Sequence, residues 1–137
     1  MTCGIFVLLL AGCIDKAAQV ADLNREVLEI HDTAMVKMDA IYDRISALRK
    51  LEKEFAPTDS TAGNPAAQGE VLDAIAQLQR ADDAMMDWMR DYHPPVEEDP
   101  ADSSLAYLEA QKISIVQVDE QIDESLAHGK EILNKHE

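Results

Sequence analysis

Apolar residues recur at every third or fourth position through most of the chain, and no segment alternates apolar and polar residues as a strand would. This spacing predicts three helices, at about residues 15–55, 65–92 and 104–135. We therefore expect an all-α protein. Its predicted architecture is an antiparallel three-helix bundle with long, coiled-coil-like helices, of which the first is the longest.

The apolar stripe of the first predicted helix changes phase once, because an additional step of four separates Ala34 from Met38. Such a stutter locally unwinds a coiled coil, although we expect the helix to continue through it. The helix is also expected to extend past the second helix by about 20 Å. Either the third helix and the proline-rich loop cover this extension, or it is a seam for dimerisation or docking. Its apolar residues are Val20, Leu23, Val27 and Ile30.

Turn residues separate the three predicted helices. Asn64-Pro65 offers an N-cap followed by proline at the first helical position, which is a start signal for the second helix. Pro94 and Pro95 end that helix, because proline lacks the amide hydrogen that a helix needs.

The N-terminus, MTCGIFVLLLAGC, joins an apolar run to small residues and a cysteine. Leu10-Ala11-Gly12-Cys13 resembles the lipobox of bacterial lipoproteins. That resemblance implies that residues 1–12 are a cleaved signal peptide and that Cys13 carries a palmitate-containing lipid. The length and composition of the chain predict that 13–137 form a single domain. No Lys or Arg precedes the apolar run, unlike in most signal peptides. A retained membrane span is disfavoured, because about 20 apolar residues are needed to cross a bilayer.

The predicted location is the bacterial cell envelope. Ile14, and not aspartate, follows the predicted lipidated cysteine, and by analogy with other lipoproteins this indicates a periplasm-facing protein on the outer membrane. Because Cys3 would leave with the signal peptide and Cys13 would carry lipid, we expect no disulfide in the mature domain.

Acidic residues outnumber basic residues 27 to 12, for a net charge of -15. This charge disfavours nucleic acid and anionic lipid headgroups as partners. The predicted partners are the membrane, through the N-terminal lipid, and either an unknown envelope protein with a basic face or a second copy of the chain.

Methionine is concentrated in two short windows, EIHDTAMVKMD and ADDAMMDWM, which together hold every methionine except Met1. In an antiparallel pair of helices the two windows should meet at one height. The candidate ligands there are His31, Met35, Met38, Asp82, Met85, Met86 and Met89.

Thioether and imidazole ligands together select Cu(I), and a His/Met pair can instead hold haem. The favoured interpretation is that these methionines fill the core at the stutter, so no cofactor is predicted and copper is the alternative. A buried His31 could also pair with Asp82 or Gln111 to fix the register of the helices. Trp88 is expected to be a half-buried packing residue.

No catalytic motif is visible, so we predict a protein that is not an enzyme. A di-iron bundle would need two Glu-x-x-His motifs, whereas Glu124 and His128 form a single i,i+4 pair that suits a surface salt link. The leading functional prediction is a non-enzymatic envelope module that binds another protein or assembles with itself.

The stretches VLEIHDTAMVKMDAIYDRISAL, AMMDWMRDY and YLEAQKISIVQVDEQIDESLAHGKEIL cover much of the mature chain. They resemble a family of small, uncharacterised lipoproteins of Bacteroidota-type bacteria, some of which carry the label "viral A-type inclusion protein". The resemblance implies an envelope lipoprotein built as a bundle of long helices, and it implies no activity. Many of those relatives have proline where this chain has Val36, so helix one should continue more readily here.

Overall fold

The computed structural model describes residues 8–58 and 62–136, with side chains described from Lys16 onward. The helices are α1 (Leu8–Met35), α2 (Met38–Phe55), α3 (Pro65–Asp91) and α4 (Ala101–His136). They account for nearly all of the described residues, which confirms the predicted all-α class. Within these residues, no helix has an apolar stretch long enough to cross a bilayer.

The first arm of the bundle, α1 and α2, runs parallel to α4. Lys16 Nζ lies 2.7 Å from Asp102 at one end, and Lys37 Nζ lies 2.8 Å from Asp123 further along. In each pair the two residues are 86 positions apart in sequence, so residue numbers increase in the same direction along both arms. The two long arms therefore lie side by side over most of their length.

The third helix, α3, runs in the opposite direction. Tyr42 Oη donates to Asp82 Oδ1 at 2.9 Å, and Gln68 Nε2 donates to Glu52 Oε1 at 3.3 Å. The sequence numbers fall on α3 as they rise on α2, which makes these two helices antiparallel. The chain thus forms an up-down-up bundle of three arms, with α1 and α2 together as the first arm.

The core lies between the three arms and is almost entirely aliphatic. Its largest fully buried side chains come from every helix: Val27, Ile41, Leu48, Val71, Leu78, Met85, Leu108, Ile115 and Ile122. Burying an aliphatic side chain of this size stabilises the fold by about 1.5–3 kcal/mol. The core therefore supplies the main stabilisation of the bundle.

The start of α3 is the predicted one. The Asn64 side chain accepts a hydrogen bond from the Ala67 amide at 3.2 Å, and Pro65 is the first helical residue. The predicted start of the last helix is wrong by three residues, because α4 begins at Ala101. The Pro100 carbonyl accepts from the Ser104 amide at 3.0 Å and so forms the first turn before the predicted start.

The first predicted helix is bent at the stutter: α1 ends at Met35, α2 begins at Met38, and the two are joined in one arm. The Lys37 amide donates to Ala34, three residues back, at 3.0 Å, which makes a tighter turn than an α-helix has. This turn at Val36 and Lys37 allows both Ala34 and Met38 to be buried. The joined α1 and α2 are the longest of the three arms, as predicted, and α4, with 36 residues, is the longest helix without a bend.

The expected extension of helix one beyond the second arm is present, and other parts of the chain cover it. The α3 helix ends near Asn24, which is hydrogen-bonded to Tyr92, whereas α4 continues alongside α1 as far as Lys16. Pro95 and Val96 of the proline-rich loop line a cleft with Val20. Helix α4 and this loop therefore pack over the apolar stripe of α1.

Candidate functional site

A continuous stack of aromatic rings crosses the bundle near the end of α3. The rings of His31 and Trp88 have centroids 5.4 Å apart, those of Trp88 and Tyr92 4.7 Å, and those of Tyr92 and Tyr107 6.2 Å. All three pairs are near parallel. Because the residues come from α1, from the end of α3 and from α4, the stack ties the three arms together at one level.

Hydrogen bonds hold the outer end of this stack. Tyr92 Oη donates to Asn24 Oδ1 on α1, and the His93 amide donates to Tyr107 Oη at 2.8 Å. Burial, and then the electrostatic interaction with the Tyr107 hydroxyl, raise the pKa of Tyr92 above its ordinary value. Tyr92 therefore stays protonated and remains a hydrogen-bond donor at any physiological pH.

His31 has one ring nitrogen bonded and one buried without a bond. Its Nδ1 lies 3.0 Å from Asp32 Oδ1, while Nε2 is buried and has no partner among the described residues. Trp88 Nε1 is also buried and has no hydrogen-bond partner among the described residues. The whole Trp88 residue is only 7% exposed. Two unbonded buried nitrogens on stacked rings are an exception to the rule that buried polar atoms are satisfied.

The two methionine windows meet at one height, as predicted. The first arm contacts α3 at two levels of this layer, through the His31–Trp88 stack and through the Tyr42–Asp82 hydrogen bond. Within this layer the methionines divide into three groups by burial. Met38 and Met85 are buried in the core, Met35 and Met89 are half-buried against it, and Met86 is 41% exposed. The core interpretation is therefore confirmed for Met38 and Met85.

The polar pairings predicted for this layer are replaced by others. His31 bonds its neighbour Asp32, and Asp82 accepts from Tyr42. That hydrogen bond is the main cause that raises the pKa of Tyr42.

Trp88 is buried and not half-buried, because it is the central ring of the stack. Tyr92, Tyr107 and Asn24 were not predicted, although Trp88 and Tyr92 share the i,i+4 spacing of one helix face.

The residues of the predicted interaction seam are largely covered by the chain itself. Val27 is fully buried, Ile30 packs against the core, and Val20 and Leu23 are half-buried. The lipobox Leu10, Ala11, Gly12 and Cys13 falls in the first turns of α1, and its side chains lie outside the described residues. The seam and the lipidation site both stay predictions.

Lys37, at the interruption between α1 and α2, reaches across to α4. Its Nζ donates to Asp119 Oδ1 and to Asp123 Oδ2, both at 2.8 Å. Burial lowers the pKa of Lys37, but the hydrogen bonds and charges of the two aspartates outweigh burial, so its pKa lies above 10.5. Lys37 is therefore charged at neutral pH and holds the bent arm against α4.

At the opposite end of the bundle, Glu70 accepts from Lys135 and from His136. The distances are 2.8 and 2.9 Å, and Phe55 packs edge-on against the His136 ring. His128 Nε2 lies 3.7 Å from Asp73 on α3. His128 therefore contacts Asp73 on α3, whereas the predicted partner was Glu124 on its own helix.

Two shallow clefts lie on either side of Pro95 in the proline-rich loop. One of about 300 Å³ is lined by His93, Pro95 and Tyr107, and the other, of about 340 Å³, by Val20, Pro95 and Val96. Among the residues with described side chains, no three His, Cys, Asp or Glu are grouped as ligands for a metal ion.

Comparison with known proteins gives no match: the chain matches no protein-family model, no curated protein and no solved structure at a significant level. The function has to be argued from the residues themselves.

Proposed function

We propose that this protein is a non-enzymatic lipoprotein of the bacterial envelope, anchored through Cys13 and acting as a helical module that binds another envelope protein. The lipobox-like Leu10-Ala11-Gly12-Cys13 is the observation that carries the anchor. Small residues before the cysteine give a peptidase access to the backbone, and the thiolate is the nucleophile that is alkylated. Ile14 after the cysteine favours the outer membrane, with the bundle facing the periplasm.

Metabolic labelling with palmitate tests the anchor. The wild-type chain should incorporate label and lose residues 1–12, whereas Cys13→Ser should remain unlabelled and uncleaved. Cys3→Ser is the matched control, because Cys3 lies in the segment that is removed, and it should label like the wild type. Equal labelling of Cys13→Ser and wild type would reject the anchor.

The binding part of the proposal is supported by three exposed apolar side chains, one each on α1, α2 and α3. We define the α1–α3 face by Leu28, Tyr42 and Met86, which are all large and at least 39% exposed. Tyr42 joins the two sides through its hydrogen bond to Asp82, which lies one turn from Met86. Flexible methionine beside aromatic and aliphatic side chains is common at protein-binding surfaces.

The charges around the α1–α3 face define the kind of partner. Asp32, Asp39 and Asp83 are exposed, and each lies three or four positions from one of the three apolar residues. Two copies of such a face would repel each other, because the whole chain also carries a net charge of -15. The face therefore fits a different protein that offers apolar side chains ringed by Lys or Arg.

Affinity purification of the full-length protein from its native envelope tests this face. Leu28→Asp with Met86→Asp should remove the bound partner, and raised salt should weaken it, because acidic residues surround the face. Ile113→Asp is the matched control, since Ile113 is an exposed isoleucine on α4, outside the face. Retention of the same partner by the double variant would reject the proposed face.

A further inference from the structure

His31 is arranged as a histidine that binds through Nε2. When Nδ1–H donates to Asp32, the lone pair of the neutral ring is on Nε2, which is the buried atom without a partner. Metal-binding histidines usually have this arrangement, in which a carboxylate holds the other ring nitrogen and fixes the tautomer. The carboxylate at His31 is supplied by the next residue in the chain.

Two thioethers lie close to His31 along the helices, Met35 one turn further along α1 and Met89 next to Trp88 on α3. Met35 is four positions after His31 on α1, so their side chains are neighbours on one face, with Cβ atoms about 5–6 Å apart. Met89 follows Asp82 by seven positions on α3 and therefore shares the face that Tyr42 contacts from the first arm. Both methionines are half-buried at the edge of the core.

We propose that His31 Nε2, Met35 and Met89 bind one soft monovalent metal ion, of which Cu(I) is the biological example. One imidazole and two thioethers are soft ligands, and they disfavour Mg²⁺, Ca²⁺ and other ions that prefer oxygen. This proposal is independent of the partner-binding function. It also reduces the candidate methionine ligands to Met35 and Met89, because Met38 and Met85 are buried in the core and Met86 is exposed.

Trp88 completes the surroundings of the site. Its ring stacks on His31 at an angle of 26°, so it shields one face of the imidazole from water. The competing explanation is one water molecule that accepts from Trp88 Nε1–H and donates to His31 Nε2, since a buried water satisfies such pairs in many proteins. The two explanations differ in whether the site takes up a metal ion.

The test is an anaerobic Cu(I) titration against a chromogenic Cu(I) chelator, repeated with Ag(I). The protein is the full chain in detergent with Cys3→Ser and Cys13→Ser, which removes both cysteines and so every competing thiol. We expect one equivalent to bind and to change the emission of Trp88, which is the one tryptophan of the chain. In NMR spectra, the methyl signals of Met35 and Met89 should shift, and that of Met86 should not.

Matched variants assign the ligands. His31→Gln and Met35→Leu should each weaken binding by at least about tenfold, and Asp32→Asn by about tenfold, because it holds the ligand. His128→Gln and Met86→Leu are the controls and should bind like the parent. If His31→Gln does not fold by circular dichroism, Met35→Leu decides, because Leu conserves the volume of Met. Absence of binding by the parent, or the parent's affinity in a folded His31→Gln or in Met35→Leu, would overturn the proposal.

Discussion

His31 on α1 stacks on Trp88 of α3, with ring centroids 5.4 Å apart and an angle of 26° between the planes. The contact lies at the level where the two methionine windows meet, one turn before the interruption of the first arm. Beyond it, Tyr92 and Tyr107 continue the stack toward α4. The same level of the bundle therefore holds its main aromatic contact and its candidate ligands.

Removing the central ring of this stack should destabilise the whole bundle. Trp88 is buried and contacts rings on both sides, so Trp88→Ala leaves a cavity and is expected to lower the free energy of unfolding by about 3 kcal/mol. Urea unfolding followed by circular dichroism measures the change. Ile113→Ala, at an exposed position on α4, should change stability little. A loss in Trp88→Ala as small as that of the control would contradict the role of the stack.

The bent first arm should depend on Lys37. Lys37→Met leaves Asp119 and Asp123 without their cation and is expected to cost about 0.5–1 kcal/mol, as partly exposed ion pairs do. Lys112→Met is the control and should cost less, because Lys112 is more exposed than Lys37 and pairs with one carboxylate, that of Glu26, among the described contacts.

The pH dependence of the Lys37 effect has a defined sign. Because the folded-state pKa of Lys37 lies above 10.5, folding favours its charged form. This contribution is complete below pH 10.5 and is lost as the pH rises through the folded-state pKa. The difference in urea midpoint between wild type and Lys37→Met should therefore be constant around neutrality and shrink only in strong alkali. If the difference in urea midpoint already decreased near neutral pH, this assignment of the effect to charged Lys37 would be contradicted.

The opposite end of the bundle should be sensitive to acid. The hydrogen bond from Lys135, and then that from His136, lower the pKa of Glu70 below 4.5. The contribution of the Glu70 carboxylate to the free energy of unfolding is therefore complete above pH 4.5. It is lost as the pH falls through the folded-state pKa of Glu70, which is lower. Glu70→Gln should lower the Tm at neutral pH and have no effect in strong acid. Glu120→Gln, on an exposed part of α4, should leave the Tm unchanged throughout, and an identical profile for both variants would count against the Glu70 contacts.

Two helical glycines should respond in opposite directions to alanine. A Cβ on Gly69 would have no neighbour within 4 Å, so Gly69→Ala should gain up to about 1 kcal/mol from helix propensity. A Cβ on Gly129 would lie 2.8 Å from Arg44 Cγ and 3.3 Å from Leu78 Cδ1, so Gly129→Ala should be destabilising. Adding Arg44→Ala should recover part of the loss. Thermal unfolding measures all three, and a gain in Gly129→Ala would show that the α2–α4 contact is looser than described.

Local signals in the sequence predicted the features that depend on local contacts. Asn64-Pro65 marks the start of α3 because the cap forms within three residues. The meeting of the methionine windows also followed from sequence, because an antiparallel pair joined by one loop has a fixed register. Burial of Met38 and Met85 agrees with their positions on the apolar stripes.

Contacts between distant parts of the chain could not be predicted in the same way. The interruption at Val36 is held by Lys37 bonds to residues 82 and 86 positions away, and nothing near Lys37 identifies those aspartates. The stack was missed because it needs the register of α3 and α4, which brings Tyr107 beside Tyr92. The exposure of Met86 likewise depends on how far α3 is rotated about its axis.

The central claim is that an anchored bundle binds a different protein through the α1–α3 face, and site-specific photo-crosslinking in intact native cells tests it most directly. A photoreactive residue at Leu28 or Met86 should give one discrete crosslinked band that contains a second, basic envelope protein, and the same residue at Ile113 should give none. Crosslinks of equal yield from Ile113, or crosslinks from Leu28 and Met86 only to a second copy of this chain, would contradict the claim.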